Sequence, residues 1–374
     1  MKFEIRHQSK KSAARVGKIH TAHGVIDTPN FVAVGTNGSI KSLDSLLVEN
    51  LGIQLLFCNT YHLMLQPGSQ LIQAAGGLHQ FINRNSPIIT DSGGFQVFSL
   101  AYGSIASEIK SKGIKKTDGS VLKITEEGVW FRSYRNGDKI LLTPESSIQA
   151  QKELGADIMV SFDELPPYHT DPKVLEDSLE RTHRWEKRSL EAHLKNPNHQ
   201  ALYAVIHGGL DISLRKKSCQ YLASFEFDGF GIGGSLGRNR LEMVEMLRKL
   251  MPHVPTERPN HLLGIGDLPS IQDCIPLGLD TFDSSYPTKA ARHGTILSPE
   301  STHFNITRSK YALHLRPLVD GCVCYTCQNY TTAYVHHLFK AHEPTAMSLA
   351  SVHNLHIMVQ VMAEYRRQIL EDKI

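Results

Sequence analysis

The chain has 374 residues, 41% of them hydrophobic and 21% charged, with a formal net charge of +3, the make-up of a globular protein with a full core in one large domain or two ordinary ones. No apolar run approaches the length a bilayer requires. The basic start MKFEIRHQSKKSAARVGKIH has no apolar stretch behind it, so neither a membrane span nor a secretory leader is expected, and a cytoplasmic protein is. A pI of about 8.4 leans mildly toward anionic partners and does not by itself demand nucleic acid.

In chain order, eight short apolar runs read as strands: Phe31–Val34, Ile53–Phe57, Pro87–Thr90, Asp157–Phe162, Ala201–Ile206, Gly229–Ile232, His261–Ile265 and Asp280–Phe282. Near-continuous apolar runs mark strands buried on both faces. Helix-like sequence separates most of them. Pro172–Lys195 has Asp171 to cap it, Pro172 at its first position and Asn196-Pro197 to stop it. Arg240–Met251 offers Leu241, Val244, Met246, Leu247 and Leu250 as a buried stripe. This alternation predicts an α/β fold, a (β/α)8 TIM barrel running through residues 1–374 as one domain. An open doubly wound sheet is the competing arrangement. After the third strand, Asp118-Gly119 and Asn136-Gly137 are hairpin dipeptides and predict an antiparallel excursion. A tail begins near Ser298.

The residues that follow the strands carry the functional signal. They are Asp91-Ser92-Gly93-Gly94, Asp163-Glu164, His207-Gly208-Gly209, Gly233-Gly234, Gly266-Asp267 and Asp283-Ser284-Ser285. In a barrel these positions share one rim, where active sites are built. Asp and Gly also follow strands merely as caps and turns. Three aspartates on one rim point further, to a barrel enzyme that uses carboxylates.

Cys58, Cys219 and Cys274 are scattered among apolar residues and read as small buried hydrophobes. Cys322, Cys324 and Cys327 are too close to pair sensibly with one another but can wrap one tetrahedral ion. His336, His337, His342, His353 and His356 are all candidates for the fourth ligand. A Cys3His set leaves no open position, so a structural zinc is expected.

Taken together, the segments HGVIDTPNFVAVGTNGSIK, NTYHLMLQPG, ITDSGGFQVFSL, DIMVSFDE, FGIGGSL, HLLGIGD, LDTFDSSYPT, CVCYTC and the later VHN resemble the tRNA-guanine transglycosylase family in order and spacing over nearly the whole chain. The resemblance implies a barrel with an inserted zinc-binding subdomain, here 300–358. It also implies exchange of the wobble guanine of tRNA for a free 7-deazaguanine base, with no organic cofactor, by a homodimer. Asp283 then corresponds to the nucleophile and Asp91 to the general acid/base. Asp163 corresponds to the residue that reads the base's N1–H and 2-amino donors. Ser92, Gly93, Gly94, His207, Gly233, Ser235 and Gly237 fall in the base-binding segments. Gly234 would meet the ring carbonyl, and Phe95 and Leu263 would cover the two faces. Gly264, Gly266, Asp267, Thr288, Lys289 and Arg292 match positions that touch the anticodon. The family's fourth zinc ligand lies 26 residues beyond the last cysteine, at His353.

The chain departs from the family in places. His207 stands where relatives carry glutamine, which halves or removes the available donors. Asp267 replaces a lysine, Leu165 the cysteine of most bacterial members, and FRSYRNG (131–137) the usual FRSHxDG of the hairpin region. Gly237 matches the eukaryotic residue where most bacteria have valine, and Asn239 stands where they keep a glutamate. A larger pocket around the 7-substituent is expected, and with it a preference for queuine over 7-aminomethyl-7-deazaguanine. Three other readings compete. A sugar-cleaving barrel glycosidase gives the cysteine cluster no purpose. A non-catalytic tRNA-binding accessory subunit has no need of both Asp91 and Asp283. The archaeal branch, which modifies another tRNA position, carries further RNA-binding domains.

Overall fold

The computed structural model describes residues 1–102, 121–300 and 302–374. Three strands, β1 (Lys2–Gln8), β2 (Arg15–Thr21) and β3 (Gly24–Thr28), form an antiparallel sheet ahead of the first expected strand. Its Ile19 and Ile26 are buried in one cluster with the barrel-lining Val32, Phe57, Ile89, Val160 and Val205, so this sheet helps to fill the barrel.

The barrel begins with β4 (Asn30–Val34), β5 (Leu56–Cys58) and β6 (Ile88–Thr90). The chain then leaves it for an antiparallel sheet of β7 (Val121–Ile124), β8 (Val129–Arg132) and β9 (Lys139–Leu142). It returns with β10 (Ile158–Val160), β11 (Ala201–Ile206), β12 (Gly229–Ile232), β13 (Asn260–Leu262) and β14 (Thr281–Ser284). These eight close in the order β10-β11-β12-β13-β14-β4-β5-β6, all neighbours parallel. Each expected run overlaps one of them, and the open sheet is ruled out. The expected excursion is the β7–β9 sheet. Asn136-Gly137 makes its second turn, with Gly137 at a φ of 79°. Asp118-Gly119 lies outside the described residues.

The helices follow from their ends. Thr143 and Ser146 form a reciprocal capping box for Pro144–Leu154. Asp171 caps Pro172–Leu194 through the Lys173 amide, as its sequence implies. In Arg240–Leu250 the buried face is Met243, Val244, Met246, Leu247 and Leu250; Leu241 is 74% exposed, which corrects its place in the expected stripe. Leu241 sits in the first turn, where the helix has not yet rolled onto the barrel. No helix among the described residues is long and apolar enough to cross a membrane.

Two buried polar ties hold the base of the barrel. Arg15 donates to both Asp280 oxygens, at 2.9 and 2.6 Å, with the two side chains 4% and 0% exposed. Asp157 accepts the Ile88 amide at 3.0 Å and the ring Nδ1 of His23 at 2.8 Å, and lies 3.1 Å from His79 Nε2. Breaking a buried pair strands a charge in a medium that cannot solvate it. Arg15→Met is therefore expected to cost about 3–5 kcal/mol of stability in urea unfolding; a loss below about 1 kcal/mol would show that Arg15 is not the support of Asp280.

Candidate active site at the C-terminal rim of the barrel

Asp91 leaves β6 into the rim and is 7% exposed. Its Oδ1 accepts the Thr60 amide at 2.8 Å; its Oδ2 accepts the amides of Asn59 at 2.6 Å and Gln96 at 2.7 Å. Burial pushes this carboxyl up to about 6, and those three donors oppose the rise. A group poised there can hold a proton or release it near neutral pH, which is what a general acid/base requires.

Asp283, in β14, is held differently. One oxygen, Oδ1, accepts the Gly264 amide at 2.7 Å and lies 3.0 Å from His261 Nε2. No hydrogen bond among the described residues reaches Oδ2. A carboxylate fixed by one oxygen with the other unengaged is arranged for attack on a carbon.

Asp163 follows β10. The Ser92 hydroxyl lies 3.2 Å from its Oδ1, and His207 Nε2 lies 2.6 Å from its Oδ2. Ser92, Asp163 and His207 thus converge, but His207 faces Asp163 rather than an open carbonyl position. The glycines between them are where backbone crowds backbone. A Cβ on Gly94 would lie 2.8 Å from the Asp163 carbonyl, and one on Gly234 would lie 2.7 Å from His207 Nδ1. Gly93 sits at a φ of 83°. Leu263 lies against Gly231 and Gly233, within 3.2 Å of where a Cβ would stand. Phe95, in the first turn of Gly94–Tyr102, is 50% exposed at the mouth.

A cavity of about 450 Å³ opens beside this cluster, lined by Glu164, Tyr168, Thr182, His207, Asp211 and Ser235 among others. Gly237 does not widen it simply by lacking a side chain. Its φ is +111°, and a Cβ there would come within 2.9 Å of Glu242 Cβ, so the loop's own path demands glycine. Asn239 caps the helix that follows, accepting the Glu242 amide at 3.1 Å.

The remaining expected contacts are spread along the same side. Asp267 caps Leu268–Cys274 through the Ser270 amide at 3.0 Å. Gly266 packs so tightly on Ser284 that a Cβ would stand 2.6 Å from it. On the helix Tyr286–Arg292, Lys289 is exposed and Arg292 half-buried, but Thr288 is buried with its hydroxyl donating to Ser285. In the hairpin 131–137, Tyr134 stacks near Tyr61 and its hydroxyl lies 3.1 Å from His62 Nδ1.

Cys322, Cys324, Cys327 and His353 gather their ligand atoms within 4.8 Å of one another. The three sulfurs lie 3.7, 3.4 and 3.3 Å from His353 Nδ1, close to the about 3.6 Å edge that tetrahedral zinc bond lengths imply. His353 Nε2 lies 3.0 Å from the Leu297 carbonyl and donates to it, which leaves Nδ1 free as a ligand. Next to it, Asn354 accepts the Leu297 amide and donates to the carbonyls of Pro287 and Thr295. The cluster is thereby tied to the helix Tyr286–Arg292 that follows β14. His23, His79 and Asp157 also lie within metal-ligating reach. Their two imidazoles stack face to face at 3.5 Å, so the ring nitrogens lie side by side and do not converge on one ion.

Sequence reading missed the supports. Asn59 and Thr60 directly follow β5, a rim position as informative as the six that were read. His261 lies inside a strand, where no pattern distinguishes it. Arg215 is fully buried and donates to the carbonyls of Ile206, Gly209, Gly233 and Ser235 at 2.7 to 2.9 Å, clasping the loops after β11 and β12.

A closed parallel barrel with buried carboxylates on its C-terminal rim, beside a thiol and imidazole metal-ligand set, defines a barrel enzyme of the carboxylate-using class. Comparison with known proteins makes the class particular. The family model described as queuine tRNA-ribosyltransferase matches residues 9–374. A queuine tRNA-ribosyltransferase of Protochlamydia amoebophila is 64% identical over 373 residues, covering 100% of this chain and 96% of the relative. Those of Chlamydia caviae and Chlamydia trachomatis serovar D are 57% and 55% identical, with full coverage of both chains. The chain belongs to the queuine tRNA-ribosyltransferase family, a family of pentosyltransferases.

Proposed function

We propose that the protein is a tRNA-guanine transglycosylase. It exchanges the wobble guanine of GUN anticodons, those of the Asp, Asn, His and Tyr tRNAs, for a 7-deazaguanine base. The observation that carries this reading is the unequal holding of two buried carboxylates on one rim. Asp283 offers an unengaged Oδ2 as nucleophile, while Asp91, pushed up to about 6, serves as acid and base. Asp283 attacks the anomeric carbon of the ribose as Asp91 protonates the departing guanine, and a covalent aspartyl–ribosyl tRNA results. The incoming base then gives its proton to Asp91 and displaces the ester. The logic is that of a retaining glycosidase, with a nucleobase in place of water. The target base must leave its stack to reach the rim, and Phe95, exposed at the mouth, supplies a face to receive it.

Asp163 reads the guanine-like edge with its two oxygens. His207 occupies one of them in the free protein, so base binding has to displace an imidazole from its best partner. His207→Gln is expected to lower the KM for base by roughly tenfold. An unchanged KM would contradict this.

Queuine is the proposed base. The cavity of about 450 Å³ beside His207 and Ser235 has room for a bulky 7-substituent, and Asn239 presents no carboxylate to an aminomethyl cation. In competition for undermodified tRNA, queuine should outcompete 7-aminomethyl-7-deazaguanine by at least about tenfold; the reverse order would overturn the preference.

The Cys322, Cys324, Cys327 and His353 set is assigned to a structural zinc within a subdomain of residues 300–358. The tyrosines at 325, 330 and 334 form an exposed ladder beside it, a surface that fits a second copy of the chain in a cytoplasmic homodimer. The whole reading is tested by incubating the protein with undermodified tRNA and labelled guanine, with and without queuine. Incorporation that queuine suppresses supports it, and no incorporation rejects it.

A further inference from the structure

One buried side chain at the rim has no part in the chemistry above. His261 lies within β13 and is 1% exposed. Its Nε2 is 3.0 Å from Asp283 Oδ1, and its Nδ1 is 2.8 Å from the hydroxyl of Thr281, its partner across the β13–β14 ladder. The Thr281 hydroxyl, which also lies 3.1 Å from the Asn260 carbonyl, meets Nδ1 and fixes the ring in its plane. Nε2 carries a hydrogen and donates it to Asp283, because a bare lone pair 3.0 Å from a carboxylate oxygen would be repelled. Phe57 stacks over the ring with centroids 5.9 Å apart, and Asp283 is the charged side chain its hydrogen bonds reach.

We propose that His261 is a positioning residue which, by donating from Nε2 to Oδ1, sets the balance between the two displacements through Asp283. The inference rests on Asp283 being the nucleophile. In the first displacement the bond from C1′ to the guanine nitrogen breaks and Oδ2 bonds to C1′, so the carboxylate loses its charge. In the second, the ring nitrogen of the incoming base bonds to C1′ while the C1′–Oδ2 pair returns to the carboxylate. The Nε2–H of His261 and the Gly264 amide, both on Oδ1, stabilise the charge that reappears. They make Asp283 a better leaving group and a weaker nucleophile. His261 thus speeds resolution of the ester and slows its formation.

The test uses the full-length, metal-replete enzyme with undermodified tRNA and base, denatured at steady state to measure the fraction linked to tRNA. In His261→Phe, which has no donor, that fraction should rise, and the rate at which added base resolves a preformed complex should fall by about tenfold, while the rate of ester formation does not fall. Thr281→Val, which removes the partner of Nδ1 and leaves the histidine in place, should shift both quantities the same way by less. The ¹⁵N spectrum of histidine-labelled enzyme should show, at the signal lost in His261→Phe, a hydrogen on Nε2. Equal linked fractions and resolution rates in all three proteins would overturn the proposal, as would a ring without that hydrogen. A native enzyme that forms no covalent complex at all would overturn the nucleophile itself, and this inference with it.

Discussion

Asp283→Asn is expected to lower base exchange by at least about a thousandfold, leaving tRNA affinity nearly unchanged. An asparagine side chain keeps the size and the carbonyl oxygen that Gly264 and His261 hold, so the rim should not collapse. What it lacks is the negative charge on the unengaged oxygen. Without that charge no ester forms, and direct displacement by a free base would have to proceed without an intermediate. Parallel measurement of exchange with labelled guanine and of tRNA binding separates loss of chemistry from loss of structure. Retention of more than about a tenth of native exchange would place the nucleophile elsewhere.

Loss of one thiol from the metal-ligand set should have the second largest effect. Cys324 is 2% exposed and lies 3.4 Å from the ligating nitrogen of His353. In Cys324→Ser the metal should bind at least about a hundredfold more weakly, more than is lost when only an outer hydrogen-bond partner goes. The consequence reaches the rim because Asn354, adjacent to His353, holds the carbonyl of Pro287, within the helix that follows Asp283, and that of Thr295 just beyond its end. Zinc content near one per chain in the native protein, near zero in the variant, and a lowered melting temperature are the expected results. A variant that keeps both its zinc and its melting temperature would show that these four side chains do not hold the ion.

The barrel was legible because strands buried on both faces leave continuous apolar runs, and each of the eight overlaps a strand. The sheet β1–β3 was not. RVGKIHT alternates with basic residues, and only by docking Ile19 into the barrel does the segment acquire a buried face. The rim aspartates were legible for the same reason as the strands, since each stands at or just past the C-terminal end of one. Their supports were not, because hydrogen-bond partners are chosen by space. Asn59 stands 32 residues before the carboxylate it holds, and His261 stands 22 before its own. Departures from the family pattern were visible as letters but not as geometry. His207 is where the sequence implied, yet it turns to Asp163. Gly237 reads as a removed side chain, whereas its backbone at a φ of +111° permits none.

The most direct measurement is a peptide map of the reaction stopped midway. Enzyme and undermodified tRNA are mixed without acceptor base, denatured, treated with nuclease and protease, and analysed by mass. A ribose-linked peptide should appear, with the added mass on the residue at position 283. An unmodified peptide spanning that position, with the sugar on another residue or on none, would contradict the covalent mechanism.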